Sequence, residues 1–490
     1  MRGIISAAGH VPHHRLRLER ITETLGGVPA RGTRAVASHD EDATTMAVAA
    51  ARLALAAARA GDEVGLVAPS VVTFASATPP YLDKTNATAI HAALRLPRDV
   101  RAVDAGGAPR SAMGALLSAL EGDRATLLTA ADVRTGPPGG PDERETGDAG
   151  AAILVGSDGD GDVLAEVLGT SSLSEEFLDR YRPEGAAHTI RWEERFGETR
   201  YVPLAVEAFA TALKDASLAA DGVDRLIVTG LHARAVDKAA VKLAAGRDIL
   251  VDDRTRAIGN SGTPHPLLLL ADVLETATPD QTIALVVLAD GADVLLLRTT
   301  DAISRWQPTP TITGQIAAGD DRLPYARFLT WRGNIVPELP RRPAPARASA
   351  PASSRNVDWK FGLTASRDRS TGALHLPPAR VSWDGGAVDD MEPVPMADVK
   401  ATIRTFTVDH LAWSPSPPTV FAVLDFDGGG RYACALTDCD AGRVKIGDRV
   451  ELVFRKVGEA DGVINYFWKA RPLPLSSVPT DVDGVMHREG

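Results

Sequence analysis

The sequence predicts an α/β protein built from two similar halves and followed by a small all-β domain. Three observations carry this. Strand-like and helix-like stretches alternate through roughly the first 335 residues. Their order recurs about halfway along. Beyond a stretch rich in Pro, Ala, Arg and Ser, the pattern changes to short strands alone. The chain has 490 residues, room for two to four domains at roughly 100–200 residues each. Apolar residues make up 44%, enough for a large core, which excludes a mainly disordered chain, a collagen or a small stapled scaffold.

In the first half, helix-like 41–59 precedes strand-like 71–76, helix-like 84–94 precedes a short strand ending at Asp104, and helix-like 110–120 precedes 125–130. Two apolar runs, 149–155 and 163–168, are separated by the turn-like SDGDGD. The order then repeats. Helix-like 204–218 precedes 225–229, helix-like 233–244 precedes a short 249–251, and helix-like 266–276 leads to a hairpin, 282–288 and 293–297, turning at Asp290-Gly291. Alternation of this kind argues for a mixed or parallel sheet covered on both faces. The segment PELPRRPAPARASAPASSR (337–355) has no apolar periodicity and reads as an extended tether. Five strand-like runs follow, at 400–407, 420–426, 432–437, 449–454 and 464–470, and fit a small barrel such as an OB-fold.

Composition narrows the function. The net charge is −11 and the pI about 5.5, which argues against a nucleic-acid binder despite Tyr466, Phe467, Trp468, Lys469 and Arg471 clustering late in the chain. The only cysteines are Cys434 and Cys439, too few for a disulfide framework or a four-thiolate zinc site and read as buried free thiols. No apolar run reaches the roughly 20 residues of a membrane helix, and Met1 to His10 lacks a signal-peptide core. A cytoplasmic protein with no membrane and no nucleic-acid partner is expected.

Five stretches of the first block, SHDEDATTMAVAAA (38–51), TPPYLDKTNATAIHAAL (78–94), TGDAGAAILVG (146–156), LHARAVDKAAVKL (231–243) and AIGNSGTPHPLL (257–268), resemble the thiolase superfamily, specifically its 3-hydroxy-3-methylglutaryl-CoA synthase branch. The second block resembles the DUF35 proteins, which pair a zinc ribbon with an OB-fold, through LHLPPARV (374–381), TFTVDHLAWSPSPP (405–418), VLDFDGGGR (423–431) and GVINYFWKARP (462–472). The resemblance implies a thiolase-like layered fold with its N-terminal half at 1–165 and C-terminal half at 166–335. A linker at 336–356, a degenerate zinc-ribbon segment at 357–394, an OB-fold at 395–474 and a tail at 475–490 follow. It implies CoA, as an acyl-CoA thioester, for a ligand, at least a homodimer, and a hydratase-like or thiolase-like protein as a further partner. The OB-fold domain is expected to dock on the thiolase-like part and help form the acyl-CoA channel.

The family's nucleophile is a cysteine at a helix N-terminus, where the helix dipole stabilises thiolate. In AVDAGGAPRSAMGAL (102–116) that position falls on Pro109, which carries no nucleophile and suits the first residue of a helix. Ser111 is two residues on and is expected to point elsewhere. No thiol precedes Cys434, so acyl transfer through cysteine in this block is excluded by composition. The branch's glutamate base has no counterpart in FASATPP (74–80), which argues against the synthase condensation itself.

His232 and Asn260 match the family's histidine and asparagine. The resemblance implies that they are two donors aimed at a thioester carbonyl, an oxyanion hole, which needs no nucleophile. Such a pair serves aldol or retro-aldol chemistry on a β-hydroxyacyl-CoA, making the chain a carbon–carbon lyase or acyltransferase-like enzyme; a base need only take the β-hydroxyl proton. Tyr81 and Asp83 are the base candidates, with His91 and His265 also of suitable type. Each also has a structural reading: Lys84 and Asn86 open a helix beside them, and His265 stands between two prolines at a helix start. The alternative function is a non-catalytic acyl-CoA-binding or scaffold subunit. The zinc-ligand positions fall on Asp368, Thr371, Ser382 and Gly385, so no structural zinc is expected; Leu374, Leu376, Val381 and Trp383 are expected to replace it by apolar packing.

Overall fold

A computed structural model describes residues 1–59, 68–338, 342–343 and 346–473. The expected tail at 475–490, and residues 339–341, 344 and 345 of the expected linker, lie outside the described residues. The chain divides into two compact units. The first comprises Met1–Leu339, Pro345–Ala350 and Phe454–Tyr466; the second comprises Pro340–Ala344, Pro351–Val453 and Phe467–Gly490.

The first unit is organised by a nine-stranded sheet in the order Arg225–Gly230, Thr282–Leu288, Gly291–Thr299, Ala165–Ser174, Arg2–His10, Ala149–Ser157, Thr126–Asp132, Val71–Ser76, Arg101–Gly106. Arg2–His10 and Ala165–Ser174 pair antiparallel at its middle. Reading outward from either one, the strands follow the same plan. Each half places its last strand beside its first, then the fourth, then the second; the third pairs parallel on the outside. In the second half that outermost strand shrinks to a single parallel bridge, Leu226 with Leu250. The two similar halves expected from the repeated order are present.

The helices form layers because each hides a different fraction of its surface. All ten residues of His265–Leu274 are buried. With Ser111–Glu121 it shares one core with strands of both halves, including Ile4, Leu128, Ile153, Ile227, Leu285 and Leu295. A helix apolar all round belongs in an interior layer. Glu194–Asp215 and Ala233–Ala244 cover the other face of the second half through Ala205, Phe209, Ala235 and Ala239. Glu194–Asp215 passes through Pro203 and begins ten residues before the expected 204. Pro203 removes one backbone donor, and the helix absorbs this through packing on the sheet.

Some elements escaped the pattern. Arg2–His10, the hairpin His14–Arg17 with Thr33–Val36, and helices Ile312–Ala317 and Tyr325–Trp331 are short or buried on both faces, so they lack a clean period. Helix 84–94 contracts to Ala87–Ala93. The Asn86 carboxamide donates to Tyr81 O and Lys84 O instead of capping, while Asp104 on the next strand accepts the Ala87 N–H at 2.8 Å. The expected extended tether ends in a short helix, Ala350–Arg355; its Ala, Ser and Arg are compatible with helix and Pro351 sits in the first turn, where its missing N–H costs nothing.

In the second unit, Ala401–Asp409, Thr419–Phe426, Arg431–Ala435, Arg449–Ala460 and Val463–Pro472 form a five-stranded antiparallel sheet. A parallel bridge between Leu436 and Ala470 brings its two edge strands, Arg431–Ala435 and Val463–Pro472, together, as an OB barrel requires. The last two strands run further than expected, to Ala460 and from Val463. Their far stretch, Phe454–Tyr466, belongs to the first unit. There Arg455, 1% exposed, stands 3.1 Å from Glu41, and Tyr466 donates to Asp42 at 2.7 Å. Polar residues at these positions hid the strand because they pair with buried acids and not with water. Trp468 is 1% exposed and donates to Phe361 O, so the aromatic cluster builds a core and not a stacking platform.

A smaller sheet in the same unit orders Leu374–His375, Thr364–Asp368 and Met391–Pro395. Of the four residues expected to pack there, Trp383 is 75% and Val381 55% exposed, while Leu374 and Leu376 are half-buried. Asp368 adds hydrogen bonds, accepting the Ser370 N–H (2.8 Å), the Ser370 hydroxyl (2.7 Å) and the Thr371 N–H (3.3 Å). Ser382 donates to Asp384 O and lies 3.4 Å from His375 Nε2. One carboxylate already committed to three donors, two hydroxyls and a glycine do not fit zinc, which takes thiolate, imidazole or open carboxylate ligands.

Candidate active-site cleft

One cleft in the first unit gathers the residues that the sequence singled out. It is narrow and partly open to solvent, and Pro109, His232 and Asn260 all line it. Asp179, Arg180, Tyr201, Thr229, Pro266 and Asp290 complete its walls. Pro109, Thr229 and His232 lie at the carboxyl ends of parallel strands, where ligands bind in open α/β sheets.

His232 follows strand Arg225–Gly230 and is the N-cap of helix Ala233–Ala244. Its Nδ1 accepts the Ala235 N–H at 3.1 Å. A ring nitrogen that accepts carries no proton, so in the neutral imidazole the proton resides on Nε2 and that nitrogen is a donor. The helix start thus sets the tautomer an oxyanion site needs. Gly197, in the first turn of Glu194–Asp215, lies against this edge: a Cβ there would come within 2.7 Å of His232 Nε2 and 2.9 Å of Asp179 Oδ1.

Asn260 is held by backbone at both ends of its carboxamide. Its Nδ2 donates to Gly230 O and its Oδ1 accepts the Gly262 N–H, each at 2.9 Å. One of its two N–H bonds is thereby used, and the group's orientation is set without ambiguity. Gly259 (φ 74°) and Gly262 (φ 76°) let this loop pass where side chains would collide. A Cβ on Gly259 would meet the Thr146 carbonyl carbon at 2.4 Å. Buried Asp132 pins the same loop by accepting the Thr263 N–H at 3.0 Å.

Pro109 lies in the turn before Ser111–Glu121, so the helix starts two residues beyond it and not at it. Ser111 donates to Gly106 O and does not line the cleft. Arg110 locks the turn. It makes a two-pronged pair with Asp293 (both 2.8 Å) and donates to Ser174 Oγ, Asp290 O and Leu173 O.

Tyr81 and Asp83 do not line the cleft. Tyr81 accepts the Ile464 N–H at 2.7 Å, and Asp83 is exposed in a loop. His91 bonds Pro97 O at 2.9 Å. His265 is buried, contacts the Ser261 N–H through Nδ1 and donates from Nε2 to Asp253 O; burial pushes its pKa down to about 4, so it stays neutral and structural. Cys434 is buried too, its thiol pushed up to about 12 by desolvation. Among the described residues, the one group of three metal-type side chains close together is His13, His14 and Asp320, and Arg322 clamps that carboxylate through both oxygens.

Sequence reasoning missed four cleft residues. Asp179 and Arg180 lie on a small ribbon, Arg180–Tyr181 with Ile190–Arg191, that has no periodic signal. Arg180 fastens this ribbon by two 2.9 Å bonds to Asp142. Tyr201 lies before Pro203 and before residue 204, where the helix was expected to start. Its hydroxyl accepts the Asp290 N–H at 3.3 Å, and its ring meets His232 edge-on at 5.9 Å. Burial, and then the charge of Asp179, push that hydroxyl well above the ordinary tyrosine range. Asp290 was read only as a turn residue. Desolvation raises its carboxyl, with Asp179 and Glu176 adding to the rise and Arg110 opposing it.

The first unit is similar in sequence and fold to thiolase-like α/β proteins of the hydroxymethylglutaryl-CoA synthase type, and the second to an OB-fold domain. Residues 393–455 match the family model described as the ChsH2 C-terminal OB-fold domain. The chain is 26% identical to a hydroxymethylglutaryl-CoA synthase of Methanosphaera stadtmanae over 68% of its own length and 99% of the relative's. A counterpart from Archaeoglobus fulgidus is 27% identical over 68% and 99%. Among solved structures, MvaS in complex with 3-hydroxy-3-methylglutaryl coenzyme A superposes with a TM-score of 0.57 at 20% identity, covering 71% of this chain and 95% of MvaS. Among the described residues no helix is long and apolar enough to cross a membrane.

Proposed function

We propose that the chain binds acyl-CoA thioesters and makes or breaks a carbon–carbon bond in a β-hydroxyacyl-CoA by aldol or retro-aldol chemistry, without an acyl-enzyme. The observation that carries this is the pairing, in one cleft, of a helix-capped His232 whose proton is held on Nε2 with a backbone-clamped Asn260, opposite Pro109. Donors set before the reaction begins stabilise developing oxyanion charge without reorganising. In the cleavage direction the β-hydroxyl loses its proton, the Cα–Cβ bond breaks, and its electrons form the thioester enolate that the two donors hold. MvaS supports the substrate class, since the compound in its complex is itself a β-hydroxyacyl-CoA.

A second reading, a non-catalytic acyl-CoA-binding scaffold for a hydratase-like or thiolase-like partner, draws on a different observation: Arg110 ties the nucleophile turn into five bonds and closes it to covalent chemistry. In both readings a homodimer is proposed. The edge strand Arg101–Gly106 is partly or fully exposed along its length, with Val103 38% exposed, and an unpaired edge is a template for a second strand.

The test is calorimetric titration with CoA and several β-hydroxyacyl-CoAs, followed by mass spectrometry of the mixtures. Acetyl-CoA or propionyl-CoA is expected from the wild type, with none from His232→Ala. Ligands that bind and stay intact would favour the scaffold. Equal turnover in His232→Ala would remove the oxyanion role.

A further inference from the structure

We infer that Asp179 is the general base of this cleft and that Tyr201 positions it, an assignment that rests on the retro-aldol reading above. The family-matched positions offer no base: Asp83 is outside the cleft and Tyr81 is bonded to Ile464. Asp179 lines the same wall as His232. Its Oδ1 and His232 Nε2 lie 2.9 Å and 2.7 Å from one point, where a Cβ on Gly197 would be. The two polar atoms are therefore neighbours, and in a β-hydroxyacyl thioester the carbonyl oxygen and the hydroxyl are separated by only three carbons, so a substrate whose carbonyl meets Nε2 has its hydroxyl within reach of this carboxylate.

The support for Asp179 is built. Arg180, the next residue, is clamped on Asp142, and the Asp179 carbonyl accepts the Trp192 N–H at 2.7 Å, so the ribbon cannot drift. Tyr201 faces the carboxylate from the long helix, and its hydroxyl is oriented by the Asp290 N–H. The groups facing Asp179 are therefore Tyr201, His232, Asp290 and Arg180. Asp290 is the rival carboxylate. It sits exposed on the tip of a hairpin in a left-handed conformation (φ 47°), with its backbone tied to Tyr201 and Arg110.

The step balances without a co-reactant. The Asp179 carboxylate takes the β-hydroxyl proton, the Cα–Cβ pair becomes the enolate, and Cβ becomes a carbonyl. The same proton then returns from Asp179 to Cα, giving the shorter acyl-CoA and an aldehyde or ketone.

The experiment compares wild type, Asp179→Asn, Asp179→Glu, Asp290→Asn and Tyr201→Phe, reading kcat, KM and the pH profile of kcat on the β-hydroxyacyl-CoA that the wild type cleaves. Asp179→Asn is expected to lose roughly 10²–10⁴-fold in kcat with calorimetric binding retained, and Asp179→Glu to recover part of it. Asp290→Asn is expected to lose less kcat than Asp179→Asn, and an equal or larger loss would overturn the assignment of the base to Asp179. Tyr201→Phe is expected to lower kcat while leaving KM and calorimetric binding in place; a merely structural tyrosine would lower the amount of folded enzyme and leave kcat per folded enzyme unchanged. Full activity of Asp179→Asn, with His232→Ala inactive, would overturn this assignment and leave the retro-aldol reading standing. A wild type that cleaves no β-hydroxyacyl-CoA would overturn both.

Discussion

At Pro109 in the first unit and at Asp368 in the second, the chain carries residues that cannot do what the resembled families do at those positions. The surroundings answer the two losses differently. Around Asp368 the remaining polar groups turn on one another: Ser370 and Thr371 donate to one oxygen of the carboxylate, and the Ser382 hydroxyl stands between that carboxylate and Asp384 O. Around Pro109 the turn is sealed by Arg110, yet the opposite wall keeps an arrangement that folding alone does not require. A histidine cap satisfies the Ala235 N–H through one nitrogen and thereby assigns the proton to the other. On the proposed reading, the contrast separates a site converted to structure from one that keeps its charge-stabilising half.

That contrast can be broken at four places. The largest effect is expected at Arg110. Removing it leaves Asp293, 4% exposed, without its cation, and breaking such a buried pair costs about 3–5 kcal/mol. Urea unfolding of Arg110→Ala should show a loss of that size, while an unchanged midpoint would mean the turn is held by other contacts. Gly197→Ala comes next. The new methyl meets the His232 ring and Asp179 at under 3 Å, and a displacement of this order costs roughly 10²-fold in turnover. Thermal stability should fall far less than activity; equal rates in the two proteins would place His232 outside the reacting geometry.

The third test is in the ribbon. Hydrogen bonds, from the Ser370 hydroxyl first and Ser382 next, hold the Asp368 carboxyl well below the usual range. A depressed folded pKa contributes stability that is present above the unfolded pKa and lost as pH falls through the folded one. Asp368→Asn should therefore melt lower than wild type at pH 7, with the gap closing below about pH 4. A gap independent of pH would assign the effect to shape and not charge. The smallest effect is expected at Glu275. Desolvation raises its pKa to about 7, against hydrogen bonding by the Ile312 N–H, with Asp272 adding to the rise and Arg254 opposing it. Here the sign reverses: stability is full below the unfolded pKa near 4.3 and is lost as pH rises through about 7. Glu275→Gln should melt slightly above wild type at pH 8 and match it near pH 4.

Much of the frame was legible in the sequence. The alternating order, the OB-type strands, and the convergence of Pro109, His232 and Asn260 all followed from pattern and resemblance. What was not legible has physical causes. Asp179 and Arg180 sit on a two-residue ribbon fixed by ion pairs to Asp142, and ion pairs between distant segments leave no periodic trace. Tyr201 was hidden because Pro203 reads as a helix boundary, whereas tertiary packing carries the helix through it. Tyr81 and Asp83 stood beside a matched motif, but nearness in sequence did not bring them to the cleft. The last two strands were shortened because Arg455 and Lys456 look like a solvated turn, while Arg455 is buried against Glu41.

The central claim is that the cleft stabilises a thioester enolate without an acyl-enzyme. The most direct measurement is deuterium uptake at Cα of propionyl-CoA in heavy water, followed by mass spectrometry of both ligand and protein. The account predicts uptake catalysed by the wild type, its loss in His232→Ala, and no acyl adduct on the protein. Intact binding with no uptake above the uncatalysed rate would contradict it.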